Sequence, residues 1–198
     1  MLDYSAGFTS EGWFQNEMQI VLRLKSEGLS KKDVLNNIIE NNSFQMRSES
    51  GIRKRFQMVY RRSETLNNDL THLYLNGSRY DQKALLLYSY LKCYRIPYEF
   101  YFEVIQFNYR NDKPSIQTVD IDYFLERKET ESEIVANWRP ETKKRLRSSI
   151  LLFFRESGLL EKKDSVTYEI SPIHMSVSLK EYAKEHDTLL YSFSELGG

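Results

Sequence analysis

The sequence predicts a mainly α-helical globular protein. It would carry an N-terminal tri-helical helix-turn-helix unit, a central buried helical hairpin, and a C-terminal winged-helix-like unit with a short β-hairpin. Three observations carry this. Apolar residues recur at helical spacing through most of the chain. The stretch 84–109 is apolar on almost every side, as helices covered by other helices are. The tail reads as a helix, then Gly158-Leu159-Leu160, a charged turn and an alternating strand. Eight Gly and four Pro in 198 residues argue against a turn-rich all-β fold, and 40% apolar residues with 14% aromatic argue against general disorder. The predicted subdomains are 1–77, 78–113 and 114–198, sharing one core.

Residues 1–10 read as an extended lead-in packed by its aromatics. Thr9 or Ser10 would cap a first helix that buries Trp13, Ile20, Val21 and Leu24 and stops near Gly28. Ser30 caps a second helix, with Asp33 in capping-box position. Its stripe is Val34, Leu35, Ile38 and Ile39, and Asn41-Asn42-Ser43 breaks it. Ser48 or Ser50 caps a third helix, with Ile52, Phe56, Val59 and Tyr60 inward. Lys54, Arg55, Met58, Arg61 and Arg62 are read onto its opposite arc. A fourth helix covers 66–75. Asp81 opens the hub, two helices meeting near Arg95-Ile96-Pro97, with Pro97 in a first turn where its missing N–H costs nothing. A polar loop, 110–114, precedes an acidic helix capped by Thr118, with Val119, Ile121, Phe124 and Leu125 apolar. After Ile134, Val135 and Trp138, Arg139-Pro140 starts a helix over 141–157 whose front is basic and whose rear is apolar. Gly158 ends it. Residues 166–170 alternate as a strand, 178–184 form a last helix, and Gly197-Gly198 fray.

The formal net charge is zero but unevenly spread: +5 over 47–62, +4 over 139–147 and −4 over 120–133. Local fields, not net charge, steer ligands to patches. A basic third helix of a tri-helical unit is the arrangement that fills a DNA major groove. The expected contacts with double-stranded DNA are therefore Arg53, Lys54, Arg55, Arg61 and Arg62 in one footprint, and Arg139, Lys143, Lys144, Arg145 and Arg147 in the other. Both patches are poor in Asn and Gln, so most contacts would go to phosphate. The competing reading is an adaptor whose basic helices dock on acidic partner subunits; the acidic 120–133 segment speaks for it.

Chemistry for catalysis is sparse. His72, His174 and His186 stand apart, and no phosphate loop, nucleophile elbow or Cys/His dyad is present. Asp120, Asp122 and Glu126-Arg127-Lys128 resemble the acidic-plus-Lys pattern of metal-dependent nucleases. That pattern normally lies on strands, whereas this stretch reads as helix. The expectation is no catalytic residue, no metal, no cofactor and no small-molecule ligand. The lone Cys93 reads as a packed thiol and points to the reducing cytoplasm. The N-terminus shows no signal peptide. Lys92, Arg95, Pro97, Glu99 and Glu103 interrupt the hub too often for a membrane span.

Several segments, taken in order and spacing, carry a family resemblance. They are Tyr4-Ser5-Ala6-Gly7, Asn42-Ser43-Phe44-Gln45, Arg61-Arg62, Lys83-Ala84 with Leu87-Tyr88, Phe124, Trp138 with Thr142-Lys143, and Glu156-Ser157-Gly158-Leu159-Leu160. Over nearly its whole length the chain resembles the BrxA family of bacteriophage-exclusion (BREX) defence systems. The resemblance implies a small all-helical DNA-binding component encoded with a methyltransferase and ATPases, which become expected partners. It supplies no binding residues by motif.

Overall fold

The structure, a computed structural model, describes residues 3–196; the Gly197-Gly198 end, expected to fray, lies outside them. Helices α1 (Gln15–Ser26), α2 (Lys31–Glu40), α3 (Glu49–Ser63) and α4 (Asn68–Asn76) form the N-terminal part. Serine caps behave as the local rules demand. Ser30 Oγ accepts from the Asp33 N–H, and Ser48 Oγ from the Gly51 N–H. The start of α1 does not follow the expectation. A 3₁₀ turn, Gly7–Ser10, occupies the place where Thr9 or Ser10 was to cap a helix, and α1 begins only after Phe14, which is left-handed at φ 52°. The reason is tertiary: the carbonyls of Gly12 and Trp13 accept from the Arg62 guanidinium, so this segment stays out of the helix.

The hub is α5 (Arg79–Cys93) followed by α6 (Arg95–Phe100), a π-helical stretch (Tyr101–Gln106) and α7 (Phe107–Arg110). Ser78 and Asp81 close a capping box at the start of α5. Every residue from Ala84 to Leu91 is buried. The second arm is less enclosed than its composition suggests: Tyr98 and Phe107 face outward. No spacing rule foretells the π-helical turn in its middle.

The C-terminal part runs β1 (Ser115–Gln117), α8 (Thr118–Glu131), α9 (Glu133–Ala136), α10 (Pro140–Ser157), β2 (Leu160–Lys162) and β3 (Thr167–Ile170), then α11 (Val177–His186) and α12 (Thr188–Ser192). The three strands make an antiparallel sheet in the order β1-β3-β2, with Ile116 opposite Tyr168 and Leu160 opposite Ile170, all four buried. β1 follows the polar loop expected at 110–114, whose Arg110 closes α7, and is a strand that was not expected. Three residues with one apolar side chain leave no period to detect. The cap of α8 is Gln117 rather than Thr118. Val119 and Ile134, expected inside, are 40% and 55% exposed. The short α12 after α11 was not foreseen. Gly158 ends α10 at φ 88°, a left-handed conformation that a side chain would strain. Leu159 and Leu160 then return to the core. Among the described residues no helix is long and apolar enough to cross a membrane.

Candidate nucleic-acid interface

Helix α3 buries Ile52, Phe56 and Val59, as its period requires, but α1, α2 and α5 all pack against it. Its covered arc is therefore wider than its apolar arc, and the cations at the edge are drawn in. Arg62 is fully buried. It donates to Ser89 Oγ at 3.2 Å and to the Leu86 carbonyl at 3.1 Å, besides Gly12 and Trp13, and its guanidinium lies 5.1 Å from the Phe153 ring centroid. Glu11 Oε2 sits 3.7 Å away, equally buried. Burial pushes the Glu11 carboxyl up and pulls the Arg62 guanidinium down, and each charge opposes the other's shift. Arg62 is thus a core residue, and its assignment to a DNA-facing arc is withdrawn.

The rest of α3 divides further. Arg61 pairs with Glu11 at 3.0 Å and bonds the Tyr94 hydroxyl, which itself donates to Glu11. Arg55 pairs with Glu17 at 2.7 Å and lies over the Phe14 ring. Arg53 pairs with Glu49 on its own helix at 2.5 Å. Only Lys54 of the five is exposed with no ion-pair partner among the described residues.

Helix α10 is organised differently. Pro140 opens it and Leu146, Ile150, Phe153 and Phe154 seal its inner side; Phe153 stacks on Tyr90 of α5 at 3.6 Å, nearly parallel. One flank meets α8. Lys143 pairs with Glu129 at 2.8 Å and Arg147 with Asp122 at 3.0 Å, across a groove of about 300 Å³ that Glu126 and Lys144 also line. The outer side stays open. Arg139, Lys144 and Arg145 are exposed with no ion-pair partner among the described residues, and so is Arg155, which sequence reasoning passed over. At 100° per residue, Lys144, Ser148 and Arg155 lie almost opposite the buried Leu146–Phe153 stripe. That phase was the signal available for Arg155; it follows an apolar run and is followed by Glu156, which cancels it in a local charge count. In the following hairpin Lys162 is exposed, while Lys163 is held by Glu161 and Glu169.

The nuclease-like residues are taken up by the fold. Asp120 accepts the Gln117 N–H at the α8 cap, Asp122 holds Arg147, and Lys128, only 3% exposed, is ringed by Glu99, Glu103 and Glu131 at 2.8–3.0 Å. Burial works against the Lys128 charge, but those carboxylates raise it above the ordinary lysine value. Among the described residues no group of three His, Cys, Asp or Glu is placed to hold a metal ion. Cys93 is half-buried, and burial pushes its thiol up to about 11, away from thiolate chemistry.

Comparison with known proteins places this geometry. A BREX protein BrxA from Bacillus cereus (strain H3081.97) is 29% identical over 147 residues, 74% of each chain. The crystal structure of an uncharacterized protein from Magnetospirillum magneticum superposes with a TM-score of 0.79 over 96% of this chain and 97% of that one, at 18% identity, a likeness of fold. The BrxA family profile matches residues 2–187, and the chain therefore belongs to the BrxA family.

Proposed function

We propose that this protein is a non-enzymatic double-stranded DNA-binding component of a BREX phage-defence system. It contacts DNA mainly through the outer face of α10, with other BREX components as its protein partners. The B. cereus relative carries the BREX name, which gives the setting. The observation that carries the DNA reading is a set of exposed cations with no ion-pair partner among the described residues: Lys144 and Arg155 on the outer side of α10, Arg145 on its flank and Arg139 at its N-cap, on a helix whose inner side is sealed against α5 and β2. The order helix, β1, α8, α9, α10, β2, β3, with β3 central in the sheet, supports this reading, because a winged-helix unit would run in that order with α10 as its recognition helix. Such a helix enters a major groove because its outer side chains alone protrude. Lys and Arg there neutralise phosphate, and Arg can also bond guanine edges in pairs. The α3 patch contributes little, since four of its five cations already have carboxylate partners.

The test is duplex binding by fluorescence anisotropy across a salt series. Four neutralised phosphates give a slope of log affinity on log salt of about −3.6. The triple substitution K144E/R145E/R155E should abolish binding while leaving the fold intact. Full affinity in that variant, with an unchanged slope, would remove α10 from the interface. If BREX partners instead bind through the same face after nuclease treatment, the adaptor reading replaces this one.

A further inference from the structure

Amides, scarce on both basic helices, are gathered elsewhere. A groove of about 460 Å³ lies between α1 and the α2–α3 turn, lined by Asn16, Gln19, Ile20 and Arg23 on one side and Ser43, Phe44 and Gln45 on the other, with Glu17 at its edge. Its size falls in the range of small-molecule sites. Asn16, Gln19, Ile20 and Arg23 stand at i, i+3, i+4 and i+7, so they form one stripe about 10 Å long on α1. The side chains of Asn16, Gln19, Arg23, Ser43 and Gln45 have no hydrogen-bond or ion-pair partner among the described residues, whereas Glu17 is neutralised by Arg55. The opposite wall is built under strain. Asn42 and Gln45 are both left-handed, at φ 44° and 51°. The turn is riveted by the Gln45 N–H to the Asn42 carbonyl at 2.8 Å and by the Met46 N–H to Asn42 Oδ1 at 3.0 Å. Asn tolerates that region; Gln does so at a cost, and such residues persist where the surroundings or a function hold them.

We propose that this groove binds a nucleotide, either free or as an unpaired position of a strand. Each part of the ligand meets a matching part of the site. Ile20, half-buried, offers an apolar contact for a base, backed by the buried Phe44. The carboxamides of Asn16, Gln19 and Gln45 each present a donor beside an acceptor, the pattern that pairs with the exposed edge of an unpaired base. Arg23, the open cation of the groove, suits a phosphate. A groove this polar and this poor in apolar wall does not suit a hydrophobic peptide anchor. The inference does not depend on duplex binding by α10, and the two can fail separately.

The test is amide chemical-shift mapping on the full chain, titrated with AMP, CMP, inorganic phosphate and an adenine-rich single strand. AMP, CMP or the strand should shift Asn16, Gln19, Arg23 and Gln45, and inorganic phosphate alone should bind at least about tenfold more weakly than AMP. AMP binding would identify a free-nucleotide site, and binding by the strand alone would identify an unpaired base. Arg23→Ala should weaken binding by about tenfold. Gln45→Gly relaxes a left-handed position while deleting an amide, so thermal stability should hold or rise as nucleotide binding falls; a purely structural role for Gln45 would leave binding unmoved. Absence of shifts with every nucleotide and strand overturns the proposal. So does an acidic peptide that binds where nucleotides do not, or retained affinity in both variants.

Discussion

The two basic helices carry nearly the same charge density and put it to opposite uses. On α3 the cations lie beside a helix packed on three sides, and the fold absorbs them: Arg62 into the core, Arg61 onto Glu11, Arg55 onto Glu17, Arg53 onto Glu49. On α10 the inner side is sealed, carboxylates of α8 take up Lys143 and Arg147 on one flank, and Arg139, Lys144, Arg145 and Arg155 have no ion-pair partner among the described residues. Charge counted along a sequence therefore says how many cations a helix has. The width of the arc its neighbours cover says how many of them face solvent.

The sharpest way to break this contrast is to exchange the roles. Arg62→Ala should be the most damaging single change, because it takes the buried cation from beside Glu11 Oε2 and leaves the Gly12, Trp13 and Leu86 carbonyls without its donors. Losing one partner of a buried pair costs about 3–5 kcal/mol, measurable by chemical denaturation. DNA affinity per folded molecule should stay constant; selective loss of binding in a stable variant would return Arg62 to the interface. Next in size, Asp122→Asn with Glu129→Gln frees Arg147 and Lys143 from α8. Duplex binding should tighten, and the salt slope should steepen by up to about 1.8, two phosphates' worth. An unchanged slope would mean that the α8 flank lies away from DNA. The smallest effect belongs to Lys54→Glu, which reverses the one α3 cation without a carboxylate partner among the described residues. It should change duplex affinity by less than about threefold, well below the loss at α10, with stability within about 0.5 kcal/mol of the parent. A loss as large as that of the α10 triple variant would mean that both helices touch DNA.

The nucleotide groove sharpens the same comparison from a third side. Its amides are uncharged, so no charge census points to them, and they come together only because α1 and the α2–α3 turn face each other. The strained Gln45 is likewise invisible in sequence, where Gln carries no signal for a left-handed backbone.

Local physics determined a good deal by itself. The serine caps of α2 and α3, the Ser78–Asp81 box, Pro140 at the start of α10, Gly158 at its end and the buried run Ala84–Leu91 all follow from rules acting within a few residues; the family resemblance rests on other short segments that share only Ala84, Leu87, Tyr88 and Gly158 with them. The structure alone decided β1, whose partner lies some fifty residues away, and the late start of α1, held open by Arg62. It also decided which cations survive as a surface. A cap or a period is set within one helical turn, so the sequence displays it. An ion pair or a covered flank is set by whichever distant segment packs alongside, and no pattern along the chain records the distance from Arg62 to Glu11 or from Arg147 to Asp122.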